Sequence, residues 1–186
     1  MVLNMLQRVI FLCGPDMCGK TQIAKRLSEE LCVPYFKASS EHSVYLDNKT
    51  QFVNQLRYAD PRVADLLQQT GHSVIFDRGY PCEWVYSSVF KRQTDLEALR
   101  LLDEAYAVMN ALIVICVRSI YDNIVDDLDP NIDSQRLEEI SSAYMRFAAW
   151  TKCDTLILNV DDENLEREIV AIILRLATRN MSQGDK

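Results

Sequence analysis

The sequence contains few of the residues that build metal centres and disulfide frameworks. Only two histidines, His42 and His72, occur among 186 residues, and the six cysteines form no C-x-x-C pair. Structural zinc sites are typically built from closely spaced Cys and His ligands, so this composition argues against one. The cysteines are expected to be reduced thiols, several of them packed in the core as small hydrophobes.

Long apolar runs are also missing. The longest, residues 9–13 and 111–117, are far shorter than the ~20 residues that a helix needs to cross a bilayer. Arg8 is followed by five apolar residues that lead directly into Gly14, without the longer apolar region and cleavage site of a signal peptide. The sequence therefore predicts a cytoplasmic protein without a membrane span.

Basic residues are fewer than acidic ones, with 20 Lys and Arg against 27 Asp and Glu. Proteins that coat nucleic acid neutralise its phosphates with Lys and Arg, so this balance argues against a polymeric nucleic acid partner. Seven of the acids, but only one base, Arg136, lie between residues 119 and 139. The remaining chain is close to neutral, and a small anionic ligand there is not excluded.

No stretch rich in Pro, Gly or Ser divides the chain, which predicts one domain over residues 1–186. Short β-rich apolar runs alternate with segments of helical periodicity. Strands are predicted at 8–13, 33–37, 73–76, 111–117 and 155–160, and helices at about 19–31, 49–70, 82–92, 95–110, 134–151 and 165–176. Pro61 is expected to kink the second helix and Thr94 to cap the fourth. The alternation predicts a three-layer α/β fold, a five-stranded parallel sheet flanked by helices, with a short lid at about 118–136.

The first predicted strand leads into a segment that fits G-x-x-x-x-G-K-[ST] and opens a helix, which is the context of a phosphate-binding loop, or P-loop. Its residues are Gly14, Pro15, Asp16, Met17, Cys18, Gly19, Lys20 and Thr21. The two glycines let backbone N–H groups approach phosphates, and the helix adds its dipole. Lys20 is expected to reach the β- and γ-phosphates of ATP, and Thr21 to ligate Mg²⁺.

A P-loop alone does not specify the reaction. The base-reading N-K-x-D of GTPases is missing, because Asn48 and Lys49 are followed by Thr50 and Gln51. Motor and AAA-type modules need a longer chain. A small phosphotransferase remains as the class that fits both the motif and the length.

A second motif, Asp77-Arg78, stands where the third predicted strand ends. Ligands of open α/β sheets bind beyond the carboxyl ends of the strands, so both side chains should share a crevice with the P-loop. Asp77 is expected to hold Mg²⁺ through water. Arg78 is expected to bind a phosphate of the acceptor or of the phosphoryl donor through its forked guanidinium.

Together the two motifs resemble those of thymidylate kinase and its deoxynucleoside kinase relatives. The resemblance implies a P-loop kinase that uses ATP and Mg²⁺ to convert a dTMP-like deoxynucleoside monophosphate to the diphosphate, often as a homodimer. In that family the P-loop carboxylate, matched by Asp16, contacts the deoxyribose, and the D-R arginine, matched by Arg78, binds the acceptor monophosphate. The family's F-x-x-x-R, which stacks on thymine and supplies another arginine, is matched in spacing by Tyr58 and Arg62.

The sequence departs from this family after the second strand. The R-E-P of the family is replaced by Lys37-Ala38-Ser39, so Lys37 is the expected phosphate contact there, as a point charge. Trp84 or Tyr86, shortly after the D-R motif, is expected to line the base pocket or else to pack against the sheet.

The source of catalytic positive charge beyond Lys20 and Arg78 differs as well. The position after Asp16, an arginine in one subclass of thymidylate kinases, is Met17. The lid is then expected to supply the charge. Arg136 is the candidate for stabilising the transferring phosphoryl group, and Arg118 is the alternative.

The residues leave more than one reaction open. A monophosphate acceptor needs no strong general base, whereas a hydroxyl acceptor benefits from a nearby carboxylate such as Glu41 or Asp77. Convergence of Lys37, Arg62 and Arg78 would favour a monophosphate. The alternatives are a kinase acting on a hydroxyl of a deoxynucleoside or of a hydroxymethylated base, and a noncatalytic nucleotide-binding regulator.

Overall fold

The fold is known from a computed structural model that describes residues 8–37, 55–121 and 132–161, together with positions 169, 171 and 172. The strands are β1 (Val9–Cys13), β2 (Tyr35–Lys37), β3 (Val74–Asp77), β4 (Leu112–Val117) and β5 (Asp154–Asn159). The helices are α1 (Lys20–Leu31), α2 (Asp60–Thr70), α3 (Tyr80–Val89), α4 (Leu96–Val108) and α5 (Ser134–Trp150).

The five strands form one parallel sheet in the order β2-β3-β1-β4-β5. All five residues of β1 are buried, as in a central strand that is covered on both faces. Its carboxyl end pairs Leu12 with Asp77 and Cys13 with Ile115. This register brings the end of β1, where the P-loop begins, beside the end of β3 with its Asp77-Arg78 motif.

The sheet is the middle of three layers. On one face Phe11, Phe76 and Ile113 pack in one hydrophobic cluster with side chains from α2, α3, α4 and α5. On the other face Leu12 and Val114 pack with α1 in a second cluster. The predicted α/β architecture with a five-stranded parallel sheet is confirmed.

The fourth predicted helix begins with a different cap from the expected one. Asp95, not Thr94, is the N-cap of α4, and its carboxylate accepts a hydrogen bond of 3.0 Å from the Ala98 backbone N–H. The expectation at Thr94 was therefore wrong by one position. A carboxylate at this place also interacts favourably with the helix dipole, which a hydroxyl does much less.

The long helix expected at 49–70 is not one continuous α-helix. Residues 49–54 lie outside the described residues, a π-helical turn spans Gln55–Ala59, and α2 starts at Asp60. Pro61 sits in the first turn of α2, where its missing N–H would have had no partner within the helix. The chain changes from a π-helical turn to an α-helix just before Pro61, and the kink itself stays a prediction.

Two other expectations fall mainly outside the described residues. Positions 122–131 of the expected lid are not described, and of the last predicted helix only Ile169, Ala171 and Ile172 are described, with both isoleucines buried. Within the ranges given above, no helix is both long and apolar enough to cross a bilayer.

Candidate functional site

The P-loop leaves β1 in a conformation that requires glycine. Gly14 has φ +137°, and a Cβ atom there would lie 2.0 Å from the backbone carbonyl oxygen of Cys116 on β4. At the other end Gly19 forms the N-cap of α1, and no side chain caps that helix. The first N–H groups of α1 therefore remain available to an anion at the loop.

Lys20 and Thr21, the last residues of the motif, each form a hydrogen bond that fixes the side chain. The Lys20 ammonium group donates to the backbone carbonyl of Pro15, and the residue is only 6% exposed. Burial, and then the charge of Arg78, lower the Lys20 pKa from its ordinary value. The Thr21 hydroxyl donates to Asp77 Oδ2 at 2.6 Å. The two expected magnesium ligands thus lie together, and hydroxyl and carboxylate oxygens are ligands that Mg²⁺ prefers.

Arg78 connects the second motif to the P-loop. It has a left-handed backbone conformation, φ +76°, which is uncommon outside glycine. Its guanidinium forms an ion pair with Asp16 and donates to the Tyr86 hydroxyl at 3.4 Å, and that hydroxyl donates to Asp16 Oδ2 at 3.0 Å. Asp16, Arg78 and Tyr86 therefore form a closed triangle of polar contacts.

The triangle favours the ionised form of Asp16. Burial of the carboxyl alone would raise the Asp16 pKa, but the charge of Arg78, that of Lys20 and the hydrogen bond from Tyr86 together lower it below its ordinary value. A carboxylate with a lowered pKa binds hydrogen-bond donors well and accepts protons poorly. Asp16 is accordingly suited to positioning rather than to general base catalysis.

The two arginines considered as phosphoryl stabilisers occupy different places. Arg118, directly after β4, donates to the backbone carbonyl of Met17 at 2.9 Å and pairs with Asp161 at 2.8 Å. Arg136, on the first turn of α5, pairs with Glu139 at 2.5 Å and lies over the Phe90 ring, 5.4 Å from its centroid. Arg118 therefore touches the P-loop, whereas these contacts of Arg136 lie on α5 and at the end of α3.

Beside the triangle, a cavity of about 380 Å³ opens between the sheet and helices α2, α3 and α4. Its walls are mainly aromatic and aliphatic. They consist of Phe11, Pro34, Tyr35, Phe36, Leu56, Val63, Leu67, Val74, Phe76, Gly79, Tyr80 and Tyr106, with Asp60 and Glu83 as the charged residues. Tyr35 joins the cavity to the metal-ligand pair, because its hydroxyl donates to Asp77 Oδ2 at 3.2 Å. The volume is in the range of small-molecule sites.

Neither a protein-family model nor a curated protein matches this sequence. Solved structures do match over nearly the whole chain. The YorR protein of Bacillus subtilis, solved in complex with phosphorylated GDP, is 22% identical with a TM-score of 0.68, covering 93% of this chain and 98% of its own. Thymidylate kinase from Ehrlichia chaffeensis is 15% identical with a TM-score of 0.61, and deoxyadenosine kinase from M. mycoides, with dCMP and dCDP bound, is 17% identical with a TM-score of 0.57. Both alignments cover 91% of this chain and 99% of the other.

The chain has the P-loop kinase fold. At these identities the likeness concerns the fold alone, and the acceptor must be inferred from the chain's own residues. The P-loop, Asp77 and Arg78 meet at the carboxyl edge of the sheet, as the sequence predicts.

Most of the aromatic and basic residues expected to contact the acceptor do not line the cavity. Tyr58 is 62% exposed, and neither Tyr58 nor Arg62 lines the cavity. Trp84 packs against Phe147 and Trp150, with ring centroids 5.5 and 5.6 Å away, and it does not line the cavity. Lys37 is exposed at the end of β2, in register with Asp77. Their roles as substrate contacts stay predictions, and Glu41 lies outside the described residues.

Several residues of the candidate site belong to no recognisable sequence motif. Tyr35 and Phe36 come from a strand of only three residues, and Glu83 follows Arg78 by five positions on α3. Tyr86 was considered for stacking, but it acts through its hydroxyl on Asp16. The available signal was position: Tyr35 and Phe36 lie in the last residues of β2, and Glu83 and Tyr86 lie on the helix that follows the carboxyl end of β3.

Proposed function

We propose that this protein is an ATP- and Mg²⁺-dependent phosphotransferase that converts a deoxynucleoside monophosphate to the diphosphate. The observation that carries the proposal is the junction of the two motifs, in which Thr21 contacts Asp77 and Asp16 contacts Arg78. A phosphate-binding loop and an arginine at its edge together suit a reaction between two phosphates. Among acceptors, dTMP is the one that the motif resemblance implies.

The residues take the following roles in this proposal. Lys20 and the N-terminus of α1 bind the transferring phosphates, while Thr21 and Asp77 would hold Mg²⁺, which neutralises phosphate charge. Arg78 exchanges its contact with Asp16 for the acceptor phosphate, and the released Asp16 carboxylate accepts from the sugar hydroxyl. No general base is required, because the acceptor oxygen is already anionic, and this agrees with the lowered pKa of Asp16.

Two of the solved neighbours support a nucleotide-type acceptor. One is a thymidylate kinase, and the deoxyadenosine kinase contains dCMP and dCDP. The deoxyadenosine kinase also supports the main alternative, which is phosphorylation of a deoxynucleoside hydroxyl. A specific observation favours that alternative: among the residues that the structure describes, the charged ones lining the cavity are the carboxylates Asp60 and Glu83, and no lysine or arginine lines it.

A panel of deoxynucleosides and deoxynucleoside monophosphates, each incubated with ATP and Mg²⁺, separates the two reactions. We expect diphosphates from the monophosphates and little product from the nucleosides. Products confined to monophosphates would move the assignment to a nucleoside kinase. Binding of ATP without any transfer would identify a noncatalytic regulator.

Arg78→Ala tests the acceptor-phosphate contact within the same assay. Loss of a charge-assisted hydrogen bond is worth about 1.5–3 kcal/mol, so the KM for the acceptor should rise roughly 10- to 150-fold, with a much smaller change for ATP. Arg100→Ala, which removes an exposed arginine from α4, is the matched control and should leave both constants unchanged. An equal loss for both substrates would place Arg78 on the ATP side.

A further inference from the structure

The end of β1 and the first turn of α3 are packed directly against each other. The Arg78 backbone N–H donates to the Leu12 carbonyl oxygen at 2.9 Å. A Cβ atom on Gly79, just before α3, would lie 2.8 Å from the Phe11 ring. Side chains that leave these two segments toward each other are therefore held close together.

Each of these segments carries a cysteine. Cys13 is the last residue of β1, Cys82 is the third residue of α3, and they are 0% and 3% exposed. The Cys13 thiol forms a hydrogen bond with the Cys82 sulfur, which also accepts from the Tyr144 hydroxyl at 3.1 Å. Both cysteines are free thiols in the structure. Two cysteines whose sulfur atoms are in contact can be joined without a large backbone movement.

The surroundings of the pair favour reaction at Cys82. Burial opposes ionisation of this thiol, but the hydrogen bond from Cys13, the charge of Arg78 and the hydrogen bond from Tyr144 together lower its pKa. Burial raises the pKa of the Cys13 thiol instead. Because the thiolate is the reactive form of cysteine, Cys82 is suited to attack an oxidant and Cys13 to resolve the product.

Burial also limits which oxidant the pair can meet. The Arg78 side chain, whose charge acts on Cys82, is 18% exposed, so the pair lies beneath a partly exposed side chain. An oxidant of near-water size, such as hydrogen peroxide, is suited to this position, whereas bulky thiol reagents are not. The exposed Cys32 has no such restriction.

We propose that a peroxide converts Cys13 and Cys82 to an intramolecular disulfide, and that this bond reversibly inactivates the P-loop site. The Cys82 thiolate attacks one peroxide oxygen, the O–O bond breaks, and hydroxide leaves a sulfenic acid on Cys82. The Cys13 sulfur then attacks the Cys82 sulfur, so that the S–S bond forms and the S–O bond breaks. The departing hydroxyl takes the Cys13 proton and leaves as water. In total, two thiols lose two electrons and the peroxide is reduced to two waters.

The disulfide acts on both motifs of the candidate site. It removes the negative charge beside Arg78, and it draws the first turn of α3 toward β1, because a covalent bond holds sulfur atoms closer than a hydrogen bond does. Gly14 directly follows Cys13, and a Cβ atom there would lie 2.0 Å from the Cys116 carbonyl oxygen, so the P-loop has little room to adjust. The loss of activity rests on the proposed function, whereas formation of the disulfide does not.

Mass spectrometry of the full chain before and after hydrogen peroxide tests the bond itself. The protein should lose two hydrogen atoms and regain them with dithiothreitol. Trypsin combined with a protease that cuts before Asp16 separates Cys13 from Cys18, and should release one cross-linked peptide that joins Cys13 to Cys82. Before oxidation, N-ethylmaleimide should label Cys32 and leave the pair unlabelled.

Cysteine variants connect the bond to activity. Peroxide should lower phosphotransfer by the wild type about 10- to 100-fold, the range for a small misplacement of reacting groups, and dithiothreitol should restore it. Cys82→Ser and Cys13→Ser, each compared with its own untreated sample, should lose this response. Cys32→Ser, at an exposed cysteine outside the pair, is the matched control and should keep both the cross-link and the response.

A wild-type protein that gains oxygen without a cross-link, or that joins other cysteines, would overturn the inference even if the serine variants failed to fold. A Cys13–Cys82 cross-link that leaves phosphotransfer unchanged would overturn the inactivation. A reversible cross-link in a protein that transfers no phosphate to any acceptor would reject the proposed function and retain the disulfide.

Discussion

The P-loop region contains two ion pairs, Asp16 with Arg78 and Arg118 with Asp161, whereas the neighbouring cavity is lined mainly by aromatic and aliphatic side chains. The first region is suited to replacing water around phosphates with fixed charges. The second is suited to an uncharged ring. The P-loop lies at the carboxyl edge of the sheet, and the cavity lies between one face of the same sheet and helices α2, α3 and α4.

The contrast also shows how each region is fixed. The P-loop is one contiguous segment whose shape follows from Gly14, Gly19 and the helix that it opens. The cavity is assembled from β1, β2, β3, α2, α3 and α4, and none of these elements supplies a recognisable motif for it. Substitutions in the two regions should accordingly have different consequences.

Lys20→Ala is the substitution with the largest expected effect, because it removes the ammonium group from the phosphate site. We expect kcat to fall by about 100- to 1000-fold, the range for loss of one preorganised electrostatic contact. Lys25→Ala, an exposed lysine further along α1, is the matched control and should change kcat little. Full activity of a folded Lys20→Ala protein would reject the P-loop as the site of phosphate chemistry.

Asp16→Asn tests whether the charge pairs stabilise the P-loop region. The free energy of unfolding should fall by about 1.5–3 kcal/mol at pH 7, as for a hydrogen-bonded ion pair. Because the Asp16 pKa is lowered in the folded protein, this contribution is present above the ordinary Asp value near 3.9 and disappears as the pH falls below it.

Urea denaturation at several pH values measures this difference. The wild-type and Asp16→Asn curves should converge in acid, whereas Asp65→Asn, at an exposed position of α2, should leave the transition midpoint nearly unchanged. A gap between wild type and Asp16→Asn that widens toward acid would contradict the lowered pKa.

Tyr35→Phe has the smallest expected effect and tests the connection between the two regions. It removes the hydroxyl that reaches from the cavity wall to Asp77. One neutral hydrogen bond contributes about 0.5–1.5 kcal/mol, so thermal unfolding should show a modest loss of stability. Unchanged stability would mean that the cavity wall and the metal-ligand pair are not coupled through Tyr35.

Much of the fold and half of the site were predictable from the sequence. The buried strands and the helical periodicities predicted all five strands, and the glycines and Lys20 of the motif predicted the P-loop. Pairing of Asp77 with Thr21 followed from the rule that parallel strands end at one edge. The start of α4 was misplaced by one residue, because Thr94 and Asp95 are both good caps and their local sequence does not rank them.

The acceptor side was predicted less well for a physical reason. Tyr58 and Arg62 match a spacing, but spacing on a helix does not say which way its face turns once the helix packs. In the structure Val63 and Leu67 of α2 line the cavity instead. Trp84 likewise packs against Phe147 and Trp150 of α5, which lie more than sixty positions away in the sequence.

The sequence by itself determined the α/β architecture, the P-loop and the presence of an acid and an arginine at the end of β3, because these depend on local periodicity, glycine conformations and strand ends. Only the tertiary structure decided that Arg78 meets Asp16 and Tyr86, and that Phe36 and Glu83 face the same cavity. Those contacts join residues from separate elements, and they depend on how the helices pack against the sheet. The cavity is consequently a product of packing, whereas the P-loop is a product of one short segment.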